Sequence, residues 1–197
     1  MATKEEIKQL RDQTGLSFMQ CRKALDEAEG DMEKAMLLLR KASSKAASKK
    51  ADRELGAGTI RSYIHGNGQV GVLLELNCET DFVAKNEEFL KLADNISMHI
   101  AAMNPKFLST EEITDEDKAK ITEVMQEEVD AMDKPDDIKA KVLEGKLNDY
   151  FAQQTLLEQA YVKNPDQTVG KLIEEGIQKI GEKIEIGRFV RYGVLEA

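Results

Sequence analysis

Residues 75–89, ELNCETDFVAKNEEF, join two apolar patterns of different period. Leading into this stretch, every second residue is apolar, which is typical of a half-buried strand. After it, apolar residues recur at spacings of three and four, as they do on one face of an α-helix. The alternating set is Val70, Val72, Leu74, Leu76 and Cys78, and the helical set is Phe89, Leu90, Ala93, Ile96 and Ile100. The stretch therefore predicts a strand, a short connection, and a helix from Asn86 to about Asn104, where Asn-Pro ends it.

The connection is unusual, because Phe82 and Val83 stand beside Asp81 where small polar residues are the rule. Exposed apolar side chains on a connection between rigid elements usually mark a contact with a partner. The alternative is that Phe82 folds back onto the helix as a cap. At the level of the residues both interpretations stay open.

The composition favours a helix-rich globular protein of one or two domains. The chain has 197 residues, of which 41% are hydrophobic and 33% are charged. No apolar run approaches the roughly 20 residues that a membrane span needs, and no apolar signal core opens the sequence. Cys21 and Cys78 lack the spacing of metal ligands, so we expect reduced thiols, a cytoplasmic location and neither a bound metal nor a cofactor.

The net charge of −9 comes from one part of the chain. Residues 109–137 hold twelve acidic residues against three lysines, so the rest of the chain has 25 acidic and 25 basic residues. Nucleic-acid binding requires a concentrated basic face, which this distribution does not indicate.

Residues 1–42 are predicted to form three short helices. Thr3 with Glu6, and Ser17 with Gln20, match the capping box at the start of a helix. The next segment, 43–55, is predicted to be a flexible linker, because it is basic, rich in Ala and Ser, and almost without large apolar residues. A nucleic-acid arm is the alternative, although no aromatic residue is interleaved to stack on bases.

Residues 56–197 are predicted to form a core α+β domain. Residues 58–65 and 69–79 predict a hairpin across Gly66-Asn67-Gly68. A helix at 168–184 and a closing strand follow, and the strand is expected to join the hairpin in a three-stranded antiparallel sheet. Simple alternation on the closing strand puts Ile184, Ile186, Arg188, Val190 and Tyr192 on one face and Phe189 on the other.

Two further helices are predicted between these elements, at 115–133 and 136–151, with a turn at DKPDD. Each has a thin apolar stripe and an acidic or polar exterior. This pattern predicts an antiparallel helical hairpin, inserted at about 113–151, that projects from the core.

Motifs for enzyme chemistry are missing from the sequence. There is no GxxxxGK[ST] phosphate loop, no GxSxG elbow and no HExxH helix. The remaining enzymatic hypothesis pairs Cys78 as nucleophile with His65, oriented by Asp81. Cys78, however, alternates with Leu74 and Leu76 on the expected core face, where a thiol is inert. A non-catalytic adaptor that binds a partner through the N-terminal helices is a second alternative.

The chain resembles the bacterial elongation factor Ts family. LRDQTGLSFMQCRKAL (10–25) is similar to the first family signature, and ELNCETDFVAKN (75–86) is similar to the second. The first departs from the usual pattern at Ser17, Gln20 and Arg22. The likeness continues along essentially the whole chain, through MHIAAMNPKFLS (98–109), VLEGKLNDYF (142–151), LLEQAYVKNP (156–165) and KIGEKIEIGRFVRY (179–192).

The resemblance implies a guanine-nucleotide exchange factor that binds elongation factor Tu in its GDP-bound and nucleotide-free forms during translation elongation. It implies that Thr80, Asp81, Phe82 and Val83 dislodge Mg²⁺ from elongation factor Tu. It also implies that residues 1–42 are a module like a ubiquitin-associated domain that docks on the GTPase. The docking residues implied are Leu10, Arg11, Thr14, Gly15 and Met19.

The chain is also similar to the short form of the family, which has one core module and pairs with itself. A three-stranded sheet leaves two unpaired edges, and both of its predicted faces carry large apolar residues. Leu73 and Phe189 are expected on the face turned away from the helices. We therefore expect a homodimer through the core sheet, and neither nucleic acid nor a membrane as a partner.

Overall fold

The computed structural model describes residues 2–196 as an α+β fold with eight α-helices and a three-stranded antiparallel sheet, and so confirms the predicted class. The chain forms two compact units. One comprises the residues up to Met98 together with those from Lys171, and the other is His99–Gly170. The helices of the first unit are α1 (Lys4–Thr14), α2 (Phe18–Glu27), α3 (Met32–Ser48), α4 (Asp81–Ala84), α5 (Glu87–Met103, continuing past Met98) and α8 (Val169–Ile180). Its strands are β1 (Ala57–His65), β2 (Val70–Cys78) and β5 (Ile184–Gly193).

The three N-terminal helices begin where their capping residues predict. Thr3 and Ser17 each form a complete capping box, and the Asp31 carboxylate accepts a hydrogen bond from the amide of Lys34. The helices enclose a small apolar core centred on Leu10, Cys21 and Leu25. The capping residues together with the apolar pattern were sufficient to predict where these helices begin.

Helix α3 continues through Ser48 and therefore covers the first half of the segment predicted as a flexible linker, 43–55. The reason is a set of polar contacts rather than apolar burial. Ser43 is buried; its hydroxyl lies 3.1 Å from the Leu39 carbonyl and also contacts the Gln178 side chain. Ser44 contacts the carboxylate of Glu174. These contacts dock α3 on α8, and small polar residues at helical spacing gave no sign of them in the sequence.

The sheet has the order β1-β2-β5, with β2 in the centre. β1 and β2 pair without interruption from Ala57↔Cys78 to His65↔Val70, as the predicted hairpin requires. β5 pairs antiparallel to β2 on its other edge. The inner face carries Val72, Leu74, Leu76 and Cys78, all of them buried.

A β-bulge in β5 changes which residues share a face. Glu75 pairs with Arg188 and Leu76 pairs with Ile186, so Gly187 has no partner on β2. Phe189 consequently lies opposite Leu74 on the inner face, whereas Val190 lies opposite Leu73 on the outer face. The prediction that Phe189 accompanies Leu73, and that Val190 accompanies Ile186, is wrong for this reason.

At the bulge the strand passes close to side chains of its neighbour. A Cβ at Gly187 would lie 2.7 Å from both the Asn77 amide nitrogen and a Glu75 carboxylate oxygen. Those side chains belong to a polar cluster in which Arg188 donates to Glu75 at 2.9 Å. A larger residue at position 187 would therefore displace the side chains of Asn77 and Glu75.

The inner face of the sheet is covered by helices of the same unit. Gly176 of α8 faces Leu92 of α5 and Ile184 of β5, and a Cβ at position 176 would lie 2.8 Å from the Leu92 side chain. Arg61 of β1 forms a two-point ion pair with Asp94 of α5, at 2.7 and 3.0 Å. The outer face has a different character, because Ile60, Ile64, Leu73, Val190 and Tyr192 are all exposed on it.

The second unit contains the helices α6 (Asp115–Asp130) and α7 (Asp136–Gln154). It also contains a short strand pair, β3 (Ala160–Tyr161) and β4 (Asn164–Thr168), and the sequence patterns did not predict this pair. α6 and α7 contact each other through Lys139 with the Asp130 carbonyl and through Lys146 with Glu128. The first pair lies near the turn and the second farther from it, so the two helices run antiparallel.

His99, near the end of α5, is a fully buried histidine that forms hydrogen bonds with the segment containing β3 and β4. Its Nδ1 accepts a hydrogen bond from the Val162 amide at 3.2 Å, and its Nε2 lies 2.9 Å from the Gln159 side-chain oxygen. The ring is therefore neutral, with its proton on Nε2. Burial lowers the pKa of His99 below its ordinary value, and the hydrogen bond to Gln159 offsets part of that effect.

We expect protonation of His99 to destabilise the fold at acidic pH. A folded-state pKa below the unfolded value means that the unfolded chain binds more protons, so stability is lost as the pH falls from about 6.5 through the folded pKa. Urea unfolding at pH 7.5 and 5.5 would measure this loss. His99→Gln should reduce the pH dependence relative to the unmodified chain, whereas the control His65→Gln, at an exposed position, should leave it unchanged. Equal pH dependence in all three chains would contradict the assignment.

Candidate functional site

The connection between β2 and α5 is a single anchored turn of helix rather than a loose loop. Thr80 is the N-cap of α4, and its hydroxyl oxygen accepts from the Val83 amide at 3.4 Å. Adjacent residues of a helix point about 100° apart. Val83 is therefore turned inward and is 5% exposed, while Phe82 is turned outward and is 79% exposed.

This geometry decides between the two interpretations of Phe82. The ring does not fold back as a cap, because a capping ring would be largely buried. Val83 fills that inward position instead and holds the turn against the core of the unit. The exposed ring remains as an apolar surface feature on a rigid base.

Asp81 carries its charge at the edge of the turn. Lys85 lies one turn later and approaches the Asp81 carboxylate to 3.0 Å. That hydrogen bond is the main cause that lowers the pKa of Asp81. Both side chains are about four-fifths exposed, so the pair adds little to stability and the carboxylate stays accessible to a partner.

A groove of about 720 Å³ lies beside Phe82. The groove is lined by residues of the connection, of the N-terminal helices and of α8: Phe82, Val83, Asn86, Glu88, Arg11, Asp12, the residues 15–18, Lys179 and Ile180. Two of them form an ion pair, because Lys179 Nζ lies 2.5 Å from a carboxylate oxygen of Glu88. The groove therefore brings the N-terminal helices and the exposed aromatic ring into one surface.

The structure brings together some of the docking residues that the resemblance implied. Arg11 and Gly15 line the groove with Phe82. Gly15 ends α1 in the left-handed region at φ 67°, and a Cβ there would lie 2.7 Å from the Lys179 Nζ. The left-handed conformation therefore favours glycine at position 15, and a larger residue there would also displace the end of the Lys179 side chain.

The other implied docking residues lie elsewhere. Leu10 is fully buried in the core of the N-terminal helices, so its side chain is not available to a partner. Thr14 is half-buried and donates to the Leu10 carbonyl at 2.8 Å. Met19 is 68% exposed, but it lines a separate surface pocket with Gln20, Arg22, Lys23 and Asp26.

Sequence reasoning missed two features of the groove. Phe18 has the spacing of the buried apolar residues of α2, Cys21 and Leu25, but it is 42% exposed and lines the groove. It is the first residue of α2, just after the cap at Ser17, where a side chain need not follow the apolar stripe. Lys179 and Glu88 are ordinary exposed charges in the sequence, and no local pattern indicates their pairing.

Cys78 and His65 cannot act as a pair. Cys78 lies opposite Ala57 and His65 lies opposite Val70, so eight residues of β1, about 26 Å of strand, separate the two ends. Burial raises the pKa of the Cys78 thiol, which donates to the Thr80 carbonyl at 3.2 Å. The thiol is a structural hydrogen-bond donor, and the hypothesis that Cys78 acts as a nucleophile with His65 is wrong.

In the described part of the chain, residues 2–196, no three His, Cys, Asp or Glu residues are grouped so that they could hold a metal ion. None of its helices has both the length and the apolar character needed to cross a bilayer. An exposed aromatic ring on an anchored turn beside a groove is the arrangement of a protein that acts by contact with a partner.

Comparison with known proteins then identifies the family. The sequence profile described as "Elongation factor TS" matches residues 40–196. Elongation factor Ts of Thermosipho melanesiensis is 46% identical over 196 residues, which cover 100% of both chains. Elongation factor Ts of Acetivibrio thermocellus is 46% identical over 192 residues, covering 98% of this chain and 89% of the relative. Elongation factor Ts of Desulforamulus reducens is 47% identical over 186 residues, covering 94% and 86%. The chain belongs to the elongation factor Ts family.

The opposite orientations of Phe82 and Val83 predict opposite effects on stability. Phe82→Ala should change the free energy of unfolding by less than about 0.5 kcal/mol, because little of the ring is buried. Val83→Ala should cost about 2 kcal/mol, because it leaves a cavity beneath α4. Urea denaturation of the two variants measures both values. A large loss of stability for Phe82→Ala would show that the ring belongs to the core.

Proposed function

We propose that this chain is a guanine-nucleotide exchange factor that promotes GDP release from elongation factor Tu in the cytoplasm, during translation elongation. Membership of the elongation factor Ts family supports the activity. The observation that carries the mechanism is the exposed Phe82 ring on a turn anchored by Val83. No covalent step is involved, so the chain acts as a binding protein and not as an enzyme.

The proposed mechanism is displacement of the partner's Mg²⁺. A bound Mg²⁺ is the largest local charge in a nucleotide site and offsets the charge of the phosphates. When Phe82 inserts beside it, the groups that hold the metal shift and the affinity for GDP falls. Val83 holds the turn from below, Thr80 caps it, and Asp81 presents a carboxylate at its edge.

Binding energy limits what one ring can do. Coupling between two ligands is reciprocal, so a factor that weakens GDP binding a thousandfold is itself weakened a thousandfold by GDP. Such a change corresponds to about 4 kcal/mol of differential binding. An aromatic hot-spot residue contributes about 2–4 kcal/mol, so other contacts must assist Phe82.

The N-terminal helices are the proposed source of those contacts. Residues 1–42 act in this proposal as a docking module like a ubiquitin-associated domain, joined to the core domain (56–197) through 43–55. Arg11 and Gly15 offer contacts from the groove, and Met19 offers an exposed apolar contact on α2. In this proposal Leu10 and Thr14 stabilise α1. α6 and α7 are proposed to form a helical hairpin with an acidic surface.

Kinetics of GDP release separate the two proposed roles. Labelled GDP is released from elongation factor Tu at increasing concentrations of the chain. Phe82→Ala should lower the maximal rate at least tenfold, because the displacing group is lost, and Met19→Glu should raise the half-saturating concentration with little change in the maximal rate. Gln9→Glu, an exposed change on α1, is the control. Tight binding without faster release by the unmodified chain would favour the adaptor function instead.

The outer face of the sheet supports a further part of the proposal, a homodimer. Ile60, Ile64, Leu73, Val190 and Tyr192 form an exposed apolar patch that crosses all three strands. Such a patch on a sheet suits a two-fold, self-complementary contact with a second copy. Because the acidic surplus lies within 109–137, charge repulsion does not oppose this contact.

The dimer is tested at Val190 rather than at Phe189, which the bulge places on the inner face. Val190→Asp should convert the dimer to a monomer, because it puts a charge within the apolar patch, opposite Leu73. Asn67→Asp adds the same charge in the exposed turn between β1 and β2 and should leave the mass unchanged. Sedimentation equilibrium at micromolar concentration, with reductant present, gives the masses. A monomer for the unmodified chain across that range would exclude the interface.

A further inference from the structure

The turn between α8 and β5 contains a carboxylate whose oxygens both bind the base of α4. The Thr80 amide donates to one oxygen of Glu182 at 3.0 Å, and the Thr80 hydroxyl donates to the other at 2.8 Å. We propose that Glu182 is the positioning residue that fixes the turn carrying Phe82. This inference rests on the proposed exchange function for its role in activity, but the positioning itself is a property of the free chain.

Helix α4 requires support from outside because it is only four residues long. A single helical turn is unstable in isolation, since several backbone angles are fixed in return for one or two hydrogen bonds. Within α4, the Ala84 amide bonds to the Thr80 carbonyl at 3.1 Å and the Val83 amide bonds to the Thr80 hydroxyl. Both bonds end on Thr80, so the orientation of Thr80 determines the orientation of the turn.

Glu182 determines the orientation of Thr80 in two ways. It accepts the backbone amide, which fixes the peptide plane before the helix. It also accepts a hydrogen bond from the Thr80 hydroxyl, which leaves the hydroxyl lone pairs free to accept from the Val83 amide. A carboxylate that accepts two hydrogen bonds forms stronger bonds than a neutral acceptor does.

A second carboxylate links the same two segments with the donor and acceptor roles reversed. Glu79, just before Thr80, accepts from the Lys183 amide at 2.6 Å and from Arg53 at 3.0 Å. Each of two consecutive residues on one segment is thus bonded to one of two consecutive residues on the other. The pairing of Cys78 with Ile184 brings the two segments into reach.

The other contacts of the turn do not replace Glu182. The ion pair of Asp81 with Lys85 is exposed and lies within the turn itself, so it does not attach the turn to the rest of the unit. The Cys78 thiol donates to the Thr80 carbonyl, but a thiol is a weak donor. Glu182 therefore supplies the principal polar attachment of the N-cap.

A double-mutant cycle tests the role in activity. Glu182→Ala should lower the maximal rate of GDP release from elongation factor Tu about tenfold, as expected when hydrogen bonds to a charged group are lost. In a Phe82→Ala background the same change should have less than about a twofold effect, because there is no ring left to position. Glu182→Gln keeps one acceptor oxygen and should recover part of the rate. Glu185→Ala removes a neighbouring carboxylate that pairs with Lys183 and should match the unmodified chain. Independent, additive effects of Glu182→Ala and Phe82→Ala would overturn the proposal.

Amide hydrogen exchange tests the positioning without reference to activity. In the free chain, Glu182→Ala should speed exchange at Val83 and Ala84 at least tenfold and leave the amides of β1 and β2 unchanged. Unchanged exchange at Val83 and Ala84 would overturn the proposal even if GDP release were slowed. If the unmodified chain failed to accelerate GDP release from elongation factor Tu, the proposed function would be wrong. The hydrogen-exchange measurement would still decide whether Glu182 positions α4.

Discussion

The pairing of β2 with β5 is the interaction on which the first unit depends. It makes β2 the central strand, with a partner on each edge, and it gives the inner face enough width to pack against α5 and α8. The same register places the turn after α8 beside the corner after β2, where Thr80 and Glu182 meet although they are 102 residues apart in sequence. Core packing and presentation of the exposed ring are therefore consequences of one long-range contact.

The site combines an exposed group with a rigid support. Phe82 contributes almost nothing to the core, so its apolar surface is available to a partner. Its support consists of an inward valine, a capped helical turn and two carboxylates. Rigidity of this kind reduces the entropy that must be lost on binding, so more of the contact energy is available to distort the partner.

Features that depend on residues close in sequence were predicted, and features that depend on contacts distant in sequence were missed. Helices with capping boxes and strands with unbroken alternation were predicted, because neighbouring residues determine them, and the anomaly at Phe82 was visible in the same local pattern. The bulge at Gly187 was missed, since the extra residue is defined only against β2. Ser43, Lys179 and Glu182 were missed because each acts through a partner distant in sequence, and none is unusual among its neighbours.

β5, the antiparallel partner of β2, is one of the last segments of the chain to be synthesised, so the turn that carries Phe82 is completed late. A ribosome completes β2 and α4 long before it reaches Glu182 and β5, because the chain is made from its N-terminus. During that interval the edge of β2 is unpaired and α4 lacks its external acceptors. A chain that stops before residue 182 therefore lacks both the last strand and the acceptors that hold the turn, so incomplete products do not present the ring in its final orientation.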